Sequence, residues 1–78
     1  MKEIRIYINS IEQVLKFSRI VIKYEEDIDM ISGRFKIDAK SIMGIFALDL
    51  SKPVQVSIIS DNQTVLNKFE EDMEEFKY

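Results

Sequence analysis

Hydrophobic residues in this chain recur with two different periods, two and about 3.6 residues, and the pattern passes from one to the other repeatedly within 78 residues. Such a chain must pair strands that are wet on one face with helices that are wet on one face, so that each covers the other. From Lys2 to Ile8 the alternation is strict. Ile4, Ile6 and Ile8 fall on one side, Glu3, Arg5 and Tyr7 on the other, as in a strand with one face to water. Asn9 and Ser10 then offer side-chain oxygens at the start of a helix expected from about residue 10 to about 24. Ile11, Val14, Leu15, Ser18 and Ile22 make its stripe, and Phe17 and Val21 widen it.

Acidic Glu25, Glu26 and Asp27 close that helix. Beyond them Ile28 and Met30 alternate with Asp29, Ser32-Gly33 has turn chemistry, and Phe35 and Ile37 alternate with Lys36 and Asp38, which reads as a β-hairpin. Between Lys40 and Leu48, Ser41 stands where it can cap a short helix in which Ile42, Ile45 and Phe46 keep helical spacing. Gly44 weakens that helix by roughly 1 kcal/mol relative to alanine. Val54, Val56 and Ile58 form a fourth strand, with Pro53 at its first position, where it removes no ladder bond. Residues 61 to 78 read as a last helix, capped by Asp61 or Asn62 and buried along Val65, Leu66, Phe69, Met73 and Phe76. No repeat, linker or low-complexity stretch divides residues 1–78, which are expected to form one domain. The order β-α-β-β-α-β-α predicts an α+β fold, a four-stranded and largely antiparallel sheet with helices on one face.

That architecture hosts many unrelated activities, so function must be sought in particular residues. The chain contains no histidine and no cysteine. This removes imidazole bases, phosphohistidine chemistry, thiol nucleophiles and nearly all zinc sites. It also removes a disulfide framework, which makes the reducing cytoplasm the expected location. Eleven Lys and Arg against 14 Asp and Glu give a formal net charge of -3 with no long basic run, which argues against a nucleic-acid binder. No segment approaches the roughly 18 apolar residues of a spanning helix, and the first residues lack the apolar run of a signal peptide, so neither membrane nor export is expected. The acids Glu70, Glu71, Asp72, Glu74 and Glu75 are spread round a helix with no loop to converge oxygens on an ion, so they form a solvated face and no metal site is expected. Gly33 and Gly44 are the only glycines and make no phosphate cradle. Composition therefore leans towards a binding or regulatory module without cofactor, and no enzyme is expected.

The run Lys40-Ser41-Ile42-Met43-Gly44, followed by Ile45-Phe46-Ala47-Leu48 and a Lys-bearing turn into a strand, resembles the regulatory-serine helix of HPr, the small phosphocarrier of the bacterial sugar phosphotransferase system. The likeness extends without a gap through Lys23-Tyr24, the Ile28 to Ile31 strand and Gly33, and downstream through the fourth strand. It implies an HPr-like open-faced β-sandwich of order βαββαβα, with a four-stranded antiparallel sheet and three helices on one face. In that family a histidine at the start of the first helix, followed by Ala-Arg-Pro, carries the phosphoryl group. Counting back from Tyr24, the histidine falls at about Ser10, and the arginine and proline at about Glu12 and Gln13. Ser10 therefore occupies a degenerate phosphohistidine position, and Glu12 puts an anion where the family has a cation, which repels a phosphoryl group. The expected protein is a histidine-lacking paralogue, similar to the catabolite repression members of the family.

The resemblance carries a second role onto Ser41, phosphorylation by an ATP-dependent HPr kinase/phosphorylase. Lys40 beside it would screen the added charge. It also implies that Ile42, Met43 and Phe46 form an exposed apolar patch that docks onto a partner, either a transcriptional regulator of carbon catabolite repression or a phosphotransferase enzyme. Phe46 stands where the family usually has methionine. Lys16 and Arg19, one turn further along the first helix, are candidate replacements for the lost cation. Residue pattern alone leaves other readings open: Ser41 as a plain cap never modified, the three apolar residues as core, and the whole chain as a phosphorylation-independent docking or decoy module or a small-ligand or oligomerisation domain of an unrelated α+β family.

Overall fold

The structure, a computed structural model, describes residues 1–78. The elements follow in the order β1 (Lys2–Ile6), α1 (Ile11–Val21), β2 (Ile28–Ser32), β3 (Phe35–Asp38), α2 (Ile42–Phe46), β4 (Val54–Ile58) and α3 (Gln63–Met73), with a 3-10 turn at Glu74–Phe76. The strands form one sheet of order β1-β4-β2-β3, and every pairing is antiparallel. Ile4, Val56 and Met30 lie in register across three strands, and all three are buried. Their row, with Ile6, Val54, Ile28 and Ile58, faces the helices and meets Phe17, Ile45 and Phe69 in a core of 17 buried side chains. Arg5 and Gln55 stay exposed on the other face, where Gln55 Nε2 donates to Glu3 Oε2 at 2.6 Å. The sandwich is open on that side. Ser57 is the one buried polar residue; it lies on this face with Glu3 and Asp29 in register on either side.

The hairpin turns at Gly33 and Arg34, and only Gly33 has a positive φ, +59°. A positive φ at the first central residue alone is the II′ arrangement, whose twist matches the flanking strands and which needs glycine there. No helix is long and apolar enough to cross a membrane.

Three expectations about the elements need correction. The first helix stops at Val21, and it buries Val14, Phe17 and Val21, leaving Ile11, Leu15 and Ile22 outward. Two apolar stripes lie about 100° apart on this helix, and the one carrying the aromatic ring wins the core. The last helix ends at Met73 and does not run to residue 78. Its continuation is drawn off by the free edge of β1: the Tyr7 amide donates to the Phe76 carbonyl at 2.8 Å and the Tyr78 amide to the Arg5 carbonyl at 3.1 Å. Finally, Phe35 falls in phase with the inward residues of the sheet but is exposed, because α2 is too short to cover it.

Candidate functional site

Two serines begin helices. Ser10 has extended backbone at φ -133°, ψ 154°, and its Oγ accepts the Gln13 amide proton at 3.1 Å. Gln13 replies through Oε1, which accepts from the Asn9 amide at 3.1 Å, a variant of the capping box in which two orphan donors are satisfied reciprocally. Ser41 caps α2 in the same way, its Oγ accepting from the Gly44 amide at 3.2 Å. Both side chains are exposed. Gly44 has a packing reason as well: a Cβ there would lie 3.3 Å from Ile37 Cδ1 and from Ser41 Oγ. The glycine lets α2 approach β3 and leaves its own amide open to the cap.

The junction between α1 and α2 is fixed by polar contacts around Tyr24. Lys40 Nζ donates to the Tyr24 carbonyl at 2.6 Å, tying the entry of α2 to the exit of α1. Tyr24 OH donates to Asp72 Oδ2 at 2.6 Å, while its ring meets Phe69 edge-on with centroids 5.7 Å apart and lies 4.9 Å beneath Lys68 Nζ. Burial, then the Asp72 carboxylate, push the Tyr24 phenol well above its ordinary value. Ser10 stands at the start of α1, whereas Lys40, the neighbour of Ser41, reaches the backbone just beyond its end.

The expected site residues do not all come together. Met43 is 80% exposed and Phe46 47% exposed, but Ile42 is half-buried against the core, so it serves as much to seat α2 as to extend a patch. Lys40 is also half-buried, and its ammonium is committed to Tyr24, which leaves it little use as a screen for a charge on Ser41. Lys16 pairs with Glu75 at 2.6 Å. That contact, like those of Tyr24 with α3, sets this flank of α1 towards the last helix and not towards α2. Arg19 is exposed and has no carboxylate within ion-pair distance. What the residue pattern missed is the outward stripe of α1: Ile11 at 70%, Leu15 at 38% and Ile22 at 57% exposure. Helical geometry puts that stripe on the flank opposite Lys16, beside α2, which packs on α1. The signal was present, since α1 has more apolar residues than one buried face requires.

Chemically the site is poor in reactive groups. No cluster of three or more acids could hold a metal ion, and no general base adjoins either hydroxyl: Ser10 and Ser41 each engage a backbone amide. The arrangement offers two reachable hydroxyls and an apolar surface.

No family model matches the chain, and no curated protein matches it in sequence. Solved structures do match over nearly its full length. HPr-C-His from Thermoanaerobacter tengcongensis aligns with a TM-score of 0.75 and 29% identity, covering 96% of this chain and 92% of that one. The histidine-containing phosphocarrier protein of Mycoplasma aligns at 0.69 with 13% identity, covering 95% and 93%. Phosphocarrier protein HPr from Bacillus anthracis strain Ames aligns at 0.65 with 19% identity, covering 91% and 92%. Together with strand order and helix placement, these likenesses establish that the chain has the open-faced, HPr-like fold.

Proposed function

We propose that this chain is a single-domain, non-catalytic relative of HPr that serves the sugar phosphotransferase system as a regulatory protein in the cytoplasm. The observation that carries the reading is an HPr-like fold with no histidine anywhere in the sequence. A phosphohistidine carrier is chemically impossible, and Ser10 at the corresponding helix start is occupied as a cap. What this chain offers instead is an exposed serine at the entry of α2 with Met43 and Phe46 exposed on the same helix.

In this reading an HPr kinase/phosphorylase directs the Ser41 hydroxyl at the γ-phosphorus of ATP. The new O–P bond forms as the bond to the ADP oxygen breaks, and the serine proton passes to a base on the kinase. The product carries about 1.5 to 2 negative charges at pH 7. Lys40 is held by Tyr24 and does not neutralise them, so the charge is left for an arginine or lysine of the partner, a catabolite-control regulator, which also covers Met43 and Phe46.

A second reading is favoured by the extent of the apolar surface. Ile11, Leu15, Ile22, Met43 and Phe46 are exposed with Ser41 unmodified, which suits a docking or decoy module that binds a phosphotransferase enzyme constitutively. Two variants separate the readings in a pull-down of candidate partners with and without kinase and ATP. Under the switch, partner capture requires kinase and is lost in Ser41→Ala. Under the constitutive module, Ser41→Ala binds normally and Phe46→Asp does not. Capture that survives both substitutions contradicts both readings.

A further inference from the structure

On the face of α2 away from Met43 and Phe46, a groove of 780 Å³ opens between that helix and the tip of the β2–β3 hairpin. The volume falls within the range of about 300–1,000 Å³ usual for small-molecule sites. Its apolar lining comes from Phe35 and Ile37 on β3 and from Ala47 and Leu48 at the end of α2. Phe35 is in phase with the inward side of the sheet, opposite Ser32, but is 67% exposed. Five residues of α2 do not reach far enough to cover the ring, so an aromatic surface stands beside empty space.

The polar residues of the groove point to the charge of what would fill it. Arg34 from the hairpin tip and Lys52 from the turn before β4 both line it, and neither has a carboxylate within ion-pair distance, although five other lysines do. The single carboxylate in the lining, Asp49, is engaged by its own loop. Ser51 donates to Asp49 Oδ1 through its hydroxyl at 2.6 Å and its amide at 3.1 Å, and these bonds, with a smaller contribution from the Lys52 charge, hold the acid below its usual range, hence ionised. Two cations against one occupied anion leave the groove positive in a chain whose net charge is -3. One carboxylate among two cations suits no metal ion.

We propose that this groove is a binding site for a compact organic anion, with an aromatic or branched aliphatic body over Phe35, Ile37 and Leu48 and a carboxylate or phosphate head held by Arg34 and Lys52 from the rims. Guanidinium and ammonium groups bind such heads by charge-assisted hydrogen bonds. Neither Ser41 nor the Met43 and Phe46 surface lines the groove, so the site is separable from the regulatory reading.

The test is a titration of the full-length, ¹⁵N-labelled chain with phenyl phosphate and with phenylacetate, followed by amide shifts, with inorganic phosphate and benzyl alcohol as half-ligands. The expected result is saturable shifts at Gly33, Phe35, Gly44 and Ala47, at least tenfold tighter for an intact aryl anion than for either half. Phenyl phosphate winning over phenylacetate, or the reverse, identifies the preferred head. Phe35→Ser and Lys52→Gln each remove exposed side chains and should each weaken binding at least fivefold with the amide spectrum otherwise preserved, whereas Phe46→Asp should leave it unchanged. Shifts confined to Met43 and Ile11, no saturation, or affinity indifferent to both groove variants would overturn the proposal.

Discussion

Tyr24→Phe tests whether the contacts joining α1, α2 and α3 hold the helical layer together. The substitution keeps the ring, and with it the edge contact to Phe69 and the position beneath Lys68. It deletes one hydroxyl, whose hydrogen bond to Asp72 is 2.6 Å long. A hydrogen bond to a charged acceptor contributes about 1.5–3 kcal/mol. Asp72 keeps 32% of its side chain exposed and has Lys68 at 3.9 Å, so water and the ammonium take over part of the role and the lower end applies, about 1.5 kcal/mol. In a domain of this size that lowers Tm by roughly 6–12 °C, readable by circular dichroism at pH 7. The phenol adds a pH signature. Its proton is held more tightly in the folded than in the unfolded chain, so its stabilisation is complete below about pH 10, the ordinary tyrosine value, and is lost as pH rises towards the folded value. Because lysines titrate in the same range, the difference between wild type and variant is the quantity to follow. It should narrow above pH 10. A variant as stable as wild type at neutral pH, or a stability gap that stays constant from pH 8 to 11, would refute the reasoning.

Other substitutions probe single features. Ser10→Ala should cost about 1 kcal/mol, the usual worth of a helix N-cap, in urea unfolding, while leaving any phosphorylation at Ser41 untouched; unchanged stability would mean that the Gln13 exchange holds the helix end alone. Gly44→Ala gains about 1 kcal/mol in helix propensity but sets a methyl group 3.3 Å from Ile37 Cδ1 and Ser41 Oγ. The crowding should cancel most of that gain, and a clear rise in Tm would show that α2 has slack against β3. Met43→Asp, at an 80% exposed position, should leave thermal stability within about 0.5 kcal/mol and still abolish partner capture; unaltered capture would remove Met43 from the docking surface.

Much of this fold is written in local pattern. Ile4, Ile6 and Ile8 alternate and are buried as alternation requires, Ser10 and Ser41 cap the helices they precede, and Ser32-Gly33 introduces the turn. The departures share a cause, which is that two candidates satisfied the same local rule and tertiary contacts chose between them. On α1 both the Val14, Phe17, Val21 row and the Ile11, Leu15, Ile22 row have helical spacing, and only packing against the sheet decides which is dry. At Lys77 and Tyr78 helix and strand compete, and the unpaired edge of β1 tips the balance. For the site, the residue types were legible but their company was not. Nothing local says that Lys40 reaches back to Tyr24 or that Lys16 reaches Glu75, since both contacts join segments far apart in sequence.

The proposal that this chain, without a histidine, acts through a serine switch is most directly tested by intact-mass analysis after incubation with ATP and an HPr kinase/phosphorylase, with the site located by fragmentation. The account predicts one added phosphate, on Ser41, and none in Ser41→Ala. A chain left unmodified while an ordinary HPr is phosphorylated in parallel, or one modified at another residue, would contradict it.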